Sequence, residues 1–262
     1  MQHGRSPAGV RFLPPLVAGQ FVRRLNRFAA LVRVDGREAC VHVRNSGRLR
    51  ELLTPGRTVL LEPARREERR TRFTLALVRL AHGYVSVDAH LPNAVVEAAL
   101  RKGDAPGCRG ARFLRREPAM GRQRADFLAV RGEQHCLVEV KSVTLVVAGV
   151  ALFPDAPTAR GRAHLEHLIA ARRRGLGAVV LFVIQRGDAL AFAPNRWTDP
   201  LFAEALERAA RAGVGVRAAT CRVTRRGVWL DRAVPVRLAP GARRVGISCP
   251  DPESPIRKAV DT

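Results

Sequence analysis

The sequence predicts an α/β (α+β) protein in two parts: an N-terminal OB-like β-barrel, then a mixed sheet flanked by helices. Three observations carry this reading. Between residues 12 and 87 the chain runs in short alternating stretches punctuated by turn signals. Beyond residue 90, strand-like apolar runs alternate with helix-length stretches. One of those runs, GAVVLFVIQ at 177–185, is almost wholly apolar, the pattern of a strand covered on both faces.

Taken in order, residues 1–9 show no periodicity and read as a loose leader. The barrel is expected over 10–87. GQFVRRLNRFAALVRVDG (19–36) alternates and ends on Asp35-Gly36, a hairpin turn signal. REACVHVRNSG (37–47) is the next strand and ends on Asn45-Ser46-Gly47. GRTVLLEPA and RRTRFTLALVRL bracket the charged turn ARREERR at 64–70, and GYVSVDAH adds a last short strand. About five short strands in so short a segment fit an OB-like barrel.

The second part is expected over 88–239. LPNAVVEAALRKG is a helix, with Pro92 in its first turn and Gly103 past its end. Strands follow near 112–118, 124–130 and 135–145. APTARGRAHLEHLIAARRRG is a helix capped by Thr158 and closed at Gly175. DPLFAEALERAARAG is the next helix, VGVRAATCRV a strand and RGVWLDRAVPVRL a final hairpin. Residues 240–262 lack periodicity and are expected to be a disordered basic tail.

Composition narrows the function. The 262 residues carry 46 Lys plus Arg against 23 Asp plus Glu, a net charge of +23. Nearly all of the positive charge is arginine, since only Lys102, Lys141 and Lys258 are lysines. A GC-rich genome accounts for arginine in place of lysine, but not for a twofold excess of bases over acids. That excess points to a polyanionic partner, most simply nucleic acid. No apolar run approaches the ~20 residues that span a bilayer, and no secretion signal is evident, so a cytoplasmic protein with no membrane partner is expected. The five cysteines stand singly, with no C-x-x-C pair, so neither a zinc ribbon nor a dithiol redox motif is supported and reduced structural thiols are expected.

The chemistry lies in ADFLAVRGEQHCLVEVKSVTL, 125–145. Glu139 and Lys141 are two apart and share one face of a strand, while Val138 and Val140 face the core. Hairpin pairing around Gly132 brings Asp126 beside Glu139. Adjacent carboxylates repel, and a divalent cation removes the conflict. Mg²⁺, or Mn²⁺ in its place, prefers such oxygen ligands, with the Val140 carbonyl able to join Asp126 and Glu139. Lys141 can then hold a water or steady developing negative charge. E-x-K by itself is a weak signal, and a cross-strand salt bridge gives the same pattern.

CLVEVKSVTL and FPDAPTARGRAHLEHL, with RLNRFAALV, HVRNSGRLRELLTPG and EPAMGRQRADF upstream, resemble the sugar fermentation stimulation protein A family. The resemblance implies an OB-like domain followed by a restriction-endonuclease-like domain of the PD-(D/E)xK nuclease type. It implies DNA rather than RNA as partner, bound largely without sequence specificity. It places Asp126, Glu139 and Lys141 on the nuclease signature, Glu117 on an upstream acid near the metal, and Arg124 on a phosphate-binding arginine. This chain departs from the family at Pro118, Met120 and Gln123. The family's suggested regulatory role in sugar (maltose) metabolism leaves a non-catalytic DNA-binding regulator as the alternative, with an RNA-binding factor as a third class.

Asn45-Ser46-Gly47 reads as a plain turn after a strand, and the resemblance implies that Asn45 belongs to a binding edge of the barrel; Arg23, Arg24 and Arg27 with Arg44 would make part of a basic face there, although any one arginine is more readily merely solvated. Arg160 and Arg162 lie at a helix N-terminus, where a phosphate is favoured. Asp155 just before that helix reads as a lid residue or a plain loop residue. His164 and His167 on the helix read as solvated or packing side chains more readily than as ligands, with a place near a phosphate as the lesser alternative for His164.

Overall fold

The structure is a computed structural model in which residues 7–13, 15–64, 71–120 and 123–238 are described. The start of the expected leader, most of the charged turn at 64–70 and the expected tail at 240–262 lie outside the described residues.

The first element, β1 (Gly9–Arg11), is followed by the barrel strands β2 (Val17–Asn26), β3 (Ala29–Val34), β4 (Arg37–His42), β5 (Thr58–Pro63), β6 (Phe73–Leu80) and β7 (Gly83–Ser86). Their order is β4-β3-β2-β5-β6-β7, and a parallel bridge from His42 to Thr74 joins β4 to β6, so five strands close on themselves. Phe21, Val32, Val41, Leu61, Leu75 and Val85 fill the interior. Asp35 and Gly36 both take left-handed φ, as the tight turn between β3 and β4 requires. Residues 19–36, which alternate as one run in the sequence, turn back at 27–28. Asn26 makes that turn, because its side-chain oxygen accepts the Phe28 N–H at 2.8 Å.

The second part continues with α1 (Leu91–Lys102), β8 (Arg112–Arg116), β9 (Ala119–Met120), β10 (Gln123–Arg124), β11 (Phe127–Arg131), β12 (Gln134–Val143), β13 (Val146–Val147) and β14 (Val150–Phe153). Then come α2 (Ala159–Arg173), β15 (Gly177–Ile184), β16 (Ala191–Pro194), α3 (Pro200–Arg211), β17 (Gly215–Thr224) and β18 (Gly227–Val234). The main sheet runs β1-β18-β17-β15-β12-β11-β8, with β15 parallel to both β12 and β17. Alternate residues of β15 serve opposite layers. Val179, Leu181 and Val183 pack with α1, whereas Val180, Phe182 and Ile184 pack with α2 and α3. The caps are as expected: Gly103 ends α1 with φ 72°, and the Thr158 hydroxyl accepts the Gly161 N–H at 3.0 Å.

Two features were not legible in the sequence. β1 pairs with β18 at the edge of the main sheet instead of belonging to the leader or the barrel. A small sheet, β13-β14-β16, joins residues about forty apart through strands too short to show a period.

The barrel meets the second part at residues 45–48. Asn45 is buried, donating to the Val87 carbonyl at 2.9 Å and accepting the Gly47 N–H at 2.7 Å. Across the junction, Asp155 accepts the Arg48 N–H at 2.9 Å. A Cβ on Gly47 falls 2.4 Å from an Asp155 oxygen and 2.9 Å from the Asn45 oxygen. Gly47→Ala must therefore displace Asp155 or open the turn. The expected loss is about 1–3 kcal/mol, read as a lower urea midpoint.

Candidate active site

The hairpin of β11 and β12 turns at Gly132, and its register sets Phe127 opposite Val138. One step further, Asp126, in the bend just before β11, lies beside Glu139. The Asp126 carboxylate accepts the Val140 N–H at 2.7 Å and the Asn93 side-chain N–H, from α1, at 2.8 Å. The N–H and C=O of one strand residue point to the same edge, so the Val140 carbonyl also faces the Asp126 side.

Glu139 is only 3% exposed. Its Oε1 accepts from Lys141 Nζ at 2.7 Å and contacts His164 Nδ1 on α2. Arg160, one turn earlier on α2, approaches His164 Nε2 at 3.3 Å through its Nε. His164 thus links Glu139 to Arg160 through its two ring nitrogens. Lys141 completes the set 3.5 Å from His164 Nδ1.

The two carboxyl groups are driven apart in proton affinity. Burial, and then the charge of Glu139, push Asp126 up against the hydrogen bonds from Val140 and Asn93. Burial acts upward on Glu139 too, but the bonds from His164 and the charge of Lys141 outweigh it and hold that carboxyl below its ordinary range. A lowered folded value means that Glu139 stabilises the fold above the unfolded value of about 4.3, and that this contribution is lost as pH falls through the folded value. Glu139→Gln is thus expected to lower stability at pH 7 and to converge with the parent protein as pH drops below about 4. Thermal melts across that range test it. Asp126 has the opposite sign: its raised value favours the fold at low pH, and that contribution fades as pH rises through the folded value.

The other expected site residues fall into three groups. Glu117 and Arg124 are exposed and pair with each other at 3.0 Å. The Glu117 backbone N–H reaches the Asp126 carbonyl at 2.9 Å, but its carboxylate turns to Arg124 and solvent, away from the buried pair. Arg24, Arg44, Asn45 and Arg162 are engaged inside the protein. Arg24 donates to the carbonyls of Asn45, Gly47 and Arg48, at 2.8, 2.7 and 3.0 Å, and so fixes the junction loop. Arg44 pairs with Glu62 and Asp88, and Arg162 with Asp199. Arg23, Arg27 and Arg160 remain exposed.

Sequence reasoning missed Asn93, and although it allowed His164 to be a packing histidine it did not foresee that it packs against Glu139. Asn93 carries no signal of its own. For His164 the spacing from Arg160 put both on one helical face, but nothing local said that the face would cover β12. It also missed Arg48 and Arg50, which join Arg23 and Arg27 along a groove of about 820 Å³ on the barrel. That groove reaches Ala156 and Pro157, and beyond them a cleft of about 280 Å³ extends between the junction loop and Ser142, the neighbour of Lys141.

A closed five-stranded OB barrel, followed by a helix-flanked mixed sheet with two acids and a lysine gathered on one hairpin, defines the class of protein: a barrel joined to an α/β sheet. Within it, the family model for the sugar fermentation stimulation protein RE domain matches residues 90–227, and that for the SfsA N-terminal OB domain matches residues 22–87. The chain belongs to the sugar fermentation stimulation protein family. It is 45% identical over 229 residues to a sugar fermentation stimulation protein homolog of Natranaerobius thermophilus, covering 86% of this chain and 95% of that protein. It is 43% identical over 238 residues to a homolog from Chloroflexus aurantiacus, covering 89% and 91%. A solved structure of Pyrococcus furiosus SfsA in complex with Ca²⁺ superposes with a TM-score of 0.79 at 31% identity, covering 86% of this chain and 97% of that one.

Proposed function

We propose that this protein is a cytoplasmic DNA-binding protein, largely indifferent to sequence, whose second part carries a Mg²⁺-dependent PD-(D/E)xK site for phosphodiester hydrolysis. The observation that carries the reading is the pairing of Asp126 with a buried Glu139 held below its ordinary range, Lys141 two residues on. Two neighbouring carboxylates of which one resists ionisation fit a hard divalent cation, which relieves their repulsion. Two carboxylates and a carbonyl are a sparse donor set, as suits Mg²⁺, which keeps several waters and takes substrate oxygens. The structure of the Pyrococcus furiosus relative in complex with Ca²⁺, another hard divalent cation, supports this reading.

Asp126, Glu139 and the Val140 carbonyl are the groups that would hold the ion. When bound, it supplies charge neutralisation and a water of lowered pKa. Lys141 orients a water beside Glu139. His164 fixes the Glu139 carboxylate and is itself held by Arg160, whose exposed guanidinium is placed to meet a phosphate. Glu117 and Arg124 line the approach, where Glu117 would act only through water.

Purified protein incubated with single-stranded and duplex DNA and RNA, in Mg²⁺, Mn²⁺ or EDTA, tests this. Expected are cleavage of DNA that EDTA abolishes, and binding that weakens steeply with salt as counterions are released. One observation favours the alternative, a non-catalytic DNA-binding regulator of sugar metabolism. Both Asp126 oxygens and Glu139 Oε1 already have protein donors, as an idle scaffold would also show. Tight DNA binding without cleavage in any metal decides for that alternative.

A further inference from the structure

Four exposed arginines, Arg23, Arg27, Arg48 and Arg50, line or rim the barrel groove, and none makes an ion pair with a described residue. Uncompensated positive charge along a concave strip is a footprint for a phosphate backbone. At its edge the β2–β3 turn presents two large apolar side chains to solvent, Leu25 at 39% and Phe28 at 51% exposure. This turn is held in shape: Asn26 accepts the Phe28 N–H, the Phe28 carbonyl accepts the Val43 N–H at 2.8 Å, and Arg27 stacks over the Phe28 ring at 5.9 Å. An exposed aromatic on a fixed turn beside unpaired arginines offers a stacking surface to a base that has left its duplex.

The route onward is narrow. Ser46, Gly47, Ala156 and Pro157 line both the groove and the cleft that leads to Ser142, so the two hollows adjoin at the junction loop, where the cleft also presents the Asp155 carboxylate. At about 280 Å³ the cleft is at the lower limit of sites that hold a small molecule.

We propose that the ligand of this groove is a single nucleic-acid strand, with phosphates on Arg23, Arg27, Arg48 and Arg50 and a base stacked on Phe28. This rests on the nucleic-acid reading above and sharpens it from sequence-indifferent binding to single-strand recognition. Short DNA and RNA oligonucleotides carrying one 2-aminopurine, single-stranded or annealed, supply the probe.

Fluorescence quenching is expected on binding of the single strand. Phe28→Ala is expected to remove the quench and weaken single-strand binding by about 5- to 150-fold, the range of one base-stacking contact. Duplex affinity should be unchanged by it. Phe28 is half exposed, so the variant should keep the parent melting temperature, and Phe28→Tyr, which keeps the ring, should restore the quench. Arg23→Ala with Arg48→Ala should lower the salt slope of single-strand binding by about 1.4. Equal or tighter binding of duplex, or a quench that survives Phe28→Ala, overturns the proposal and leaves the nucleic-acid reading standing. No binding of any strand at low salt ends both.

Discussion

Glu139→Gln is expected to lower metal-dependent cleavage by about a hundredfold or more, the size of loss seen when one preorganised charge or donor leaves a dry site. The substitution keeps the length of the side chain and an oxygen able to accept from Lys141 and His164, so the geometry of β12 and α2 survives. What disappears is the negative charge that a cation needs and that Lys141 and His164 hold in place. Mn²⁺ binding followed by calorimetry should be lost in parallel, and Lys141→Ala should reduce cleavage without reducing Mn²⁺ affinity to the same degree. DNA binding in EDTA should be unchanged in both variants, because the basic surface is elsewhere. A Glu139→Gln protein that cleaves at the parent rate and binds Mn²⁺ normally would move the site away from this hairpin.

Phe182→Ala is expected to be the most damaging core substitution. Phe182 is fully buried on β15, stacked on Phe192 with centroids 4.0 Å apart and meeting Phe153 and Phe202 at 5.5 and 6.5 Å. These rings come from β15, β16, β14 and α3, so one deletion leaves a hole where the main sheet, the small sheet and the outer helices meet. Phe→Ala in a site that cannot collapse costs about 3–5 kcal/mol. For a chain of this size that corresponds to a melting temperature lower by roughly 6–20 °C. Trp197→Ala, at a residue 91% exposed, is the control and should leave the melt within about a degree. A melt of Phe182→Ala within a few degrees of the parent would show that the layers relax independently.

Much of the architecture was legible because it is written in local periodicity. Strands that alternate, an apolar run covered on both faces, and the signals at Pro92, Gly103 and Thr158 depend only on neighbouring residues. Parity along β12 put Glu139 and Lys141 on one face, and hairpin pairing set Asp126 beside them. Chain geometry fixes both, whatever the rest of the molecule does.

The tertiary structure alone decided the rest. His164 lies over Glu139 because α2 packs on that face of the sheet, and Asn93 reaches Asp126 because α1 packs on the other. Which arginines remain exposed was likewise settled by folding. Arg24 and Arg44 are polar residues beside buried carbonyls and carboxylates, and burial requires them to satisfy those partners before any ligand. Sequence sets which side chain shares a face with which, since that follows from the rise and turn of one strand or helix. How the layers stack, and so which charges are buried and answered from another segment, depends on packing across distances that no local pattern records.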